Sequence, residues 1–178
     1  MNRPRHFNLL ARLLHWAMAL AIFSMLFIGA AMVVSLRYRD ALLALHRPLG
    51  IAILLLAIVR LINRLARPVP PLPVDLPPIQ KFAAHASHWL LYGLMLAMPL
   101  IGWAMLSAGG YPITMFGGVH LPAILPHSPV IYGWLRPLHG VLAYLLFLTI
   151  LGHLGAALFH AWVRRDEVFA QMAEGEPK

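Results

Sequence analysis

Ten histidines and no cysteine define the chemistry open to this chain. Without thiols there is no disulfide, no thiolate iron–sulfur ligation, no catalytic cysteine and no CxxCH attachment of a prosthetic group. Any cofactor must be held by something else, and imidazole nitrogen is abundant. Four histidines, His15, His46, His139 and His153, fall within or at the edge of long apolar runs. An ionisable side chain at membrane depth is costly and marks function by default. One such histidine would be explained equally well by a hydrogen bond to a neighbouring helix, so the weight falls on the four together. His139 and His153 are 14 residues apart, which on one helix means about 21 Å along the axis and only about 40° of angular drift. Both rings therefore face one side, at two depths. His15 lies one to two turns into the first apolar run, at the depth of His153. His46 opens the second run from the opposite side, at the depth of His139. Two pairs are predicted, His15–His153 and His46–His139, stacked across a membrane.

A four-helix bundle builds cofactor sites from side chains on facing helices. Two imidazoles do not complete a tetrahedral zinc site, and the spans hold no acidic or thiolate ligand. Two separate pairs suit two six-coordinate haems, each taking two axial nitrogens. Gly50, Gly140, Gly152 and Gly155 lie beside these positions and would let a flat macrocycle approach the backbone. The general frequency of glycine in membrane helices explains them as well.

The elements that must position these residues are plain from composition. Of 178 residues, 61% are hydrophobic and 11% charged, with a mean hydropathy of +0.75. Soluble domains are roughly half apolar and a quarter charged, so a soluble globule and a disordered chain are both excluded. Four runs are long enough to span a bilayer, at about 9–36, 46–65, 82–108 and 137–163. The expected fold is all-α: one integral membrane four-helix bundle over residues 1–178. The basic start Asn2-Arg3-Pro4-Arg5 resembles a signal peptide, but the apolar run behind it is too long, so a retained helix is expected.

The net charge of +8 sits in short clusters between the apolar runs. That pattern reports topology, whereas a nucleic-acid binder needs a solvated basic face. With the N-terminus cytoplasmic, that side carries Arg3, Arg5, Arg12, Arg60, Arg64, Arg67, Lys81, Arg164, Arg165 and Lys178, against Arg37, Arg39, Arg47 and Arg136 opposite. Ten against four puts both termini in the cytoplasm. Arg67-Pro68-Val69-Pro70-Pro71-Leu72-Pro73 and Pro77-Pro78 form an extended strap on the cytoplasmic face. The segment 109–135, apolar and rich in Gly and Pro, is expected to pack over the outer helix ends.

Other polar residues fall around this frame. Haem propionates would seek arginine at the membrane edge: Arg12 and Arg64 inside, Arg47 and Arg136 outside. A plain positive flank accounts equally well for Arg64. His85 and His88 share a helix face at the cytoplasmic end. They read as interfacial polar residues, as a replacement ligand for the inner haem, or as a proton-accepting partner for a quinone, and between the two functional roles the last is favoured. His160 reads as interfacial, with a quinone or propionate contact as its functional alternative. His6, His120 and His127 are expected to be solvated. Trp16, Trp89, Trp134 and Trp162 read as interfacial anchors, and the nine methionines as packing residues.

The ordered combination of Leu14-His15-Trp16, His46-Arg47-Pro48-Leu49-Gly50, Arg60-Leu61-Ile62-Asn63-Arg64, His85-Ala86-Ser87-His88-Trp89-Leu90-Leu91-Tyr92, Met98-Pro99-Leu100-Ile101-Gly102-Trp103, Phe116-Gly117 and Leu138-His139 with His153 resembles prokaryotic cytochrome b561. It is similar, more distantly, to the cytochrome b subunits of membrane hydrogenases and formate dehydrogenases. The resemblance covers almost the whole chain. It implies a bundle in the bacterial inner membrane with two non-covalent b haems, ligated by His15, His46, His139 and His153, that exchanges electrons with ubiquinone.

Some relatives are thought to oxidise superoxide and pass its electron to ubiquinone. The outer cluster Arg37, Arg39, Arg47 and Arg136 with Asp40, a local net charge of +3, would steer a small anion. Lipid phosphates or propionates explain it equally well. The expected function is thus a quinone-linked electron carrier, with superoxide or a periplasmic redox protein as donor and superoxide:ubiquinone oxidoreductase as the candidate activity. The alternative is a membrane anchor and electron acceptor for a separate dehydrogenase or hydrogenase. The short tail after Val163 favours the self-contained oxidoreductase. A proton channel or transporter is disfavoured because the spans carry no acidic residue.

Overall fold

The computed structural model describes residues 6–174. Arg3, Arg5 and Lys178, three of the residues in the charge count above, lie outside the described residues. Four long helices carry the apolar runs: α1 (Leu9–Val34), α2 (Arg39–Ala66), α3 (Pro78–Ala108) and α4 (Pro129–Phe159). Each is long and apolar enough to cross a bilayer.

Helix boundaries follow local chemistry. Asn8 caps α1 by accepting the Ala11 N–H at 2.8 Å, and Ser128 caps α4 from its hydroxyl. Pro129 then sits in the first turn of α4, where no intrahelical N–H is needed. Two predicted starts are corrected. Helix α2 begins at Arg39 rather than near 46, and α4 at Pro129 rather than near 137. Pro48 and Pro137 therefore lie inside helices; membrane helices tolerate interior proline because neighbours re-satisfy the freed carbonyl. His46 consequently lies about two turns inside α2 instead of opening it.

Chain order dictates an up-down bundle. Backbones pack most closely within two hairpins, α1 against α2 and α3 against α4, with α2 also against α3. Met18, Ile22, Ile53, Ala57, Tyr92, Leu94, Met95 and Leu146 form the buried core. Much of the remaining surface is exposed Leu, Val, Ile and Phe, which only lipid can cover without penalty. On α4 a single residue, Leu146, is buried.

The two ends differ in covering. At the loop end, residues 109–128 fold over the helices through a two-stranded hairpin, β1 (Ile113–Thr114) with β2 (His120–Leu121). Its ties are Trp103 Nε1 to the Pro122 carbonyl at 2.9 Å, the Ile124 N–H to Ser107 Oγ at 3.1 Å, and Arg47 Nη1 to the Pro112 carbonyl at 3.2 Å. Gly109 is required where it stands, because a Cβ there would meet the Tyr111 and Tyr132 rings at 2.7 and 2.9 Å. The segment expected to cover this end is therefore shorter than predicted, since 129–135 is helix.

At the opposite, terminal end, α4 runs into a π-helical turn (His160–Arg164) that Arg165 ends in the left-handed region at φ 54°. The chain then folds back to a short helix, α5 (Ala170–Ala173). The Phe7 N–H donates to Gln171, Arg12 Nη2 to Ala173 and Trp16 Nε1 to Met172, at 3.1, 3.1 and 3.4 Å. Arg164 bridges Asp166 on this turn and Asp75 in the proline-rich connection.

Candidate functional site

The predicted partners face each other. His15 on α1 and His153 on α4 have ring centroids 6.2 Å apart, and His46 on α2 and His139 on α4 have theirs 6.3 Å apart. Both pairs reach across the seam between the two hairpins, where a planar group could be held from both sides. His88 on α3 stands 5.4 Å from His153, so the terminal end carries three imidazoles in a row.

A 14-residue interval, visible in the sequence only between His139 and His153, recurs on every helix. It separates His15 from Gly29 on α1, His46 from Arg60 on α2 and His88 from Gly102 on α3. Since 14 residues return a helix nearly to the same face, each helix offers one residue to each of two layers. The loop-end layer comprises Gly29, His46, Gly102 and His139. The terminal layer comprises His15, Arg60, His88 and His153. Between them lie apolar core residues, among them Met18, Ile22, Ile53 and Leu146.

The loop-end layer is two imidazoles cradled by two glycines. A Cβ at Gly102 would meet His139 Cε1 at 3.3 Å, and one at Gly29 would meet His46 Cε1 at 3.9 Å. The Nδ1 atoms of His46 and His139 are buried without a hydrogen-bond partner, and buried polar atoms in that condition call for an explanation. The glycines picked out from sequence behave differently. Gly50 meets Met25, and a Cβ at Gly140, Gly152 or Gly155 would touch nothing within 4 Å. Adjacency along the chain selected glycines on the ligands' own helices, whereas the ones nearest the rings come from the other helix of each hairpin.

The terminal layer is polar and cationic. Arg60 Nη2 lies 2.8 Å from His15 Nδ1, and its Nε donates to the Tyr92 hydroxyl at 3.2 Å. Counting basic residues beside the spans had placed Arg60 in a charged flank; the structure turns it inward. Arg64, one turn later, packs its guanidinium 6.0 Å from the centroid of the same Tyr92 ring.

The remaining candidates divide between the two ends. Arg12 is half-buried one turn before His15, with its Nε buried and unpartnered. It lines a cavity of about 430 Å³ with His6, Asn8 and Arg67. His6 is thus half-buried rather than solvated, whereas His120 and His127 are exposed as expected. Arg47 reaches the covering loop, and Arg136 is exposed one turn before His139. His85 is exposed. His160 is committed to Asp166, Nδ1 to Oδ2 at 2.7 Å, which favours its structural reading. Burial alone would raise the Asp166 carboxyl; hydrogen bonds from His160, the Val168 N–H and Arg164 hold it below the usual carboxylate range.

Fold and site together define a transmembrane four-helix bundle that sets imidazoles in facing pairs near both ends. The profile of prokaryotic cytochrome b561 matches residues 6–175. The chain is 30% identical over 176 residues to "Cytochrome b561 homolog 2" of Escherichia coli strain K12, covering 96% of this chain and 93% of that one. It is 32% identical over 139 residues to "Probable superoxide oxidase CybB" of Yersinia pestis, covering 76% of each. The chain belongs to the prokaryotic cytochrome b561 family and is a multi-pass membrane cytochrome b, an electron carrier.

The family implies b-type haem, and the residues present fit it. One metal ion bonded to a nitrogen of each ring at roughly 2 Å requires ring centroids about 6 Å apart, which both pairs satisfy. Among the described residues no group of three or more His, Cys, Asp or Glu converges as a metal site.

Proposed function

We propose that this protein is a di-haem b electron carrier that moves electrons across the bacterial inner membrane between superoxide and ubiquinone. The observation that carries the reading is the pair of facing imidazoles near each end of one bundle, separated by an apolar layer. His15 and His153 would hold one haem, His46 and His139 the other. Arg12 and Arg64 near the first, and Arg47 and Arg136 near the second, would hold propionates by charge-assisted hydrogen bonding. When bound, haem supplies reversible one-electron chemistry whose potential the ligands and their surroundings set.

Positive flanks put the terminal end in the cytoplasm. The loop end, with Arg37, Arg39, Arg47 and Arg136, then faces the periplasm and attracts a small anion. Two superoxide anions each lose one electron to leave dioxygen, and one quinone takes two electrons and two protons to become quinol. His88, beside His153 at the terminal end, is the hydrogen-bonding partner for that quinone. With two histidines holding each haem, the iron would have no position open to superoxide, and transfer would be outer-sphere.

An oxidised and dithionite-reduced spectrum, with haem counted against protein, tests this directly. Two low-spin b haems per chain, with ubiquinone reduction driven by superoxide, are expected. Absence of haem from a folded preparation would sink the reading. Two haems without superoxide-driven reduction would leave the wire and remove its donor.

A further inference from the structure

Arg60 stands out because its placement contradicts its place in the sequence. Near the end of an apolar run it reads as a charged flank that would reach for headgroups. In the structure it fills the α2 position of the terminal layer, 14 residues after His46. Its guanidinium is held from two sides: Nη2 at 2.8 Å from His15 Nδ1, and Nε on the hydroxyl of Tyr92, which is only 6% exposed. The same ring lies under the guanidinium carbon at 5.9 Å, a cation–π contact.

The chemistry of this contact is unusual for a ligand histidine. The ring nitrogen left free by a metal normally donates to a carboxylate or carbonyl, which strengthens the ligand's donation. Arginine has five donors, no acceptor and a permanent charge. It cannot accept the Nδ1 proton that a ring ligating through Nε2 carries, so beside a ligating His15 it acts through its fixed positive charge. Reduction removes one positive charge from iron, so a fixed cation close by in a low-dielectric interior favours the reduced state. Among the described residues no guanidinium hydrogen-bonds a ring of the loop-end pair, whose Nδ1 atoms have no partner. There, Arg47 is half-buried with its Nε unpartnered and donates Nη1 to the Pro112 carbonyl, Arg136 is exposed, and the α1 and α3 positions of the layer are Gly29 and Gly102.

We infer that Arg60 is a positioning residue that raises the reduction potential of the His15–His153 haem above that of the His46–His139 haem, through its fixed charge beside His15, held there by Tyr92. Each electron then passes downhill from the loop end, which is oxidised, to the terminal end, which is reduced. The asymmetry gives the wire a direction that two identical histidine pairs would lack.

This rests on the two-haem reading, and optical redox titration of the full-length protein separates the two. Wild type is expected to show two midpoints. The His139→Ala variant, keeping one haem, should retain the higher of them. Arg60→Gln is expected to lower that midpoint alone, with Arg60→Lys recovering most of the shift because the charge is kept. Tyr92→Phe, which removes the acceptor for Nε, should lower it by a smaller amount and alter the low-spin paramagnetic signal of one haem only. Unmoved midpoints in Arg60→Gln, or an equal shift of both, overturn the inference. So does loss of one haem from Arg60→Gln with a wild-type midpoint in Tyr92→Phe, which would make Arg60 an anchor. Fewer than two haems in wild type instead overturns the reading beneath it.

Discussion

The two layers of the bundle are built to one plan and filled differently. Each helix contributes one residue to each layer at a 14-residue spacing, and α4 supplies a histidine to both. At the loop end the two remaining positions are glycines, so the imidazoles meet in a cradle shaped by close backbone approach. At the terminal end those positions are arginine and histidine, so the imidazoles meet in a charged, hydrogen-bonded cluster. One geometry can thus serve two electrical environments. Spacing along a helix decides where a ligand sits, and the residues on the facing helices decide what the ligand feels.

Removal of ligands breaks the comparison most severely. His153→Ala should lose the terminal-end haem and His139→Ala the loop-end haem, each leaving about half the wild-type haem in a pyridine assay. Wild-type haem content in His153→Ala would show that His88, 5.4 Å away, takes its place, and the pairing would fall. Carbon monoxide offers a second check of the same scale: the reduced native protein should not bind it, and rapid binding would reveal an open coordination position.

Steric filling should be milder and confined to one layer. Gly102→Val pushes into His139, whose Cε1 is 3.3 Å from where a Cβ would stand. Overpacking of this kind costs about 1–3 kcal/mol, and it should weaken haem retention at the loop end while the terminal haem stays. Gly29→Ala, with 3.9 Å available, should leave both sites occupied. Equal loss from both layers in Gly102→Val would mean that the glycines serve bundle packing rather than the ring.

The smallest effect belongs to the clamp that closes only the terminal end. The folded Asp166 carboxyl lies below its ordinary range, so its stabilisation is present above the unfolded pKa and is lost as pH falls through the folded one. Asp166→Asn should cost about 1 kcal/mol at neutral pH, the upper end for an ion pair near the surface, and almost nothing in acid. Thermal unfolding in detergent at both pH values would show it; a cost persisting in acid would place the effect elsewhere.

Much of the bundle was legible in the chain. The four apolar runs announced the helices because a bilayer demands about 20 apolar residues per crossing. The four histidines stood out because ionisable groups at that depth are rare. Two helix starts were not legible, because the apolar runs stop at Arg136 and short of Arg39-Asp40 while the helices continue through these charged residues. Gly29, Gly102 and Arg60 were not legible either. Their spacing from His15, His88 and His46 is in the sequence, but nothing marks a glycine or a flanking arginine as facing a ring on another helix.

Composition and the period of the α-helix therefore determined by themselves that this chain crosses the membrane four times and carries imidazoles at two depths, because both follow from local chemistry repeated along one axis. The tertiary structure alone decided which side chains stand against those imidazoles. Contacts between neighbouring helices depend on their relative rotation and height, and packing of the whole bundle sets these. That packing put glycine against one pair and a guanidinium against the other.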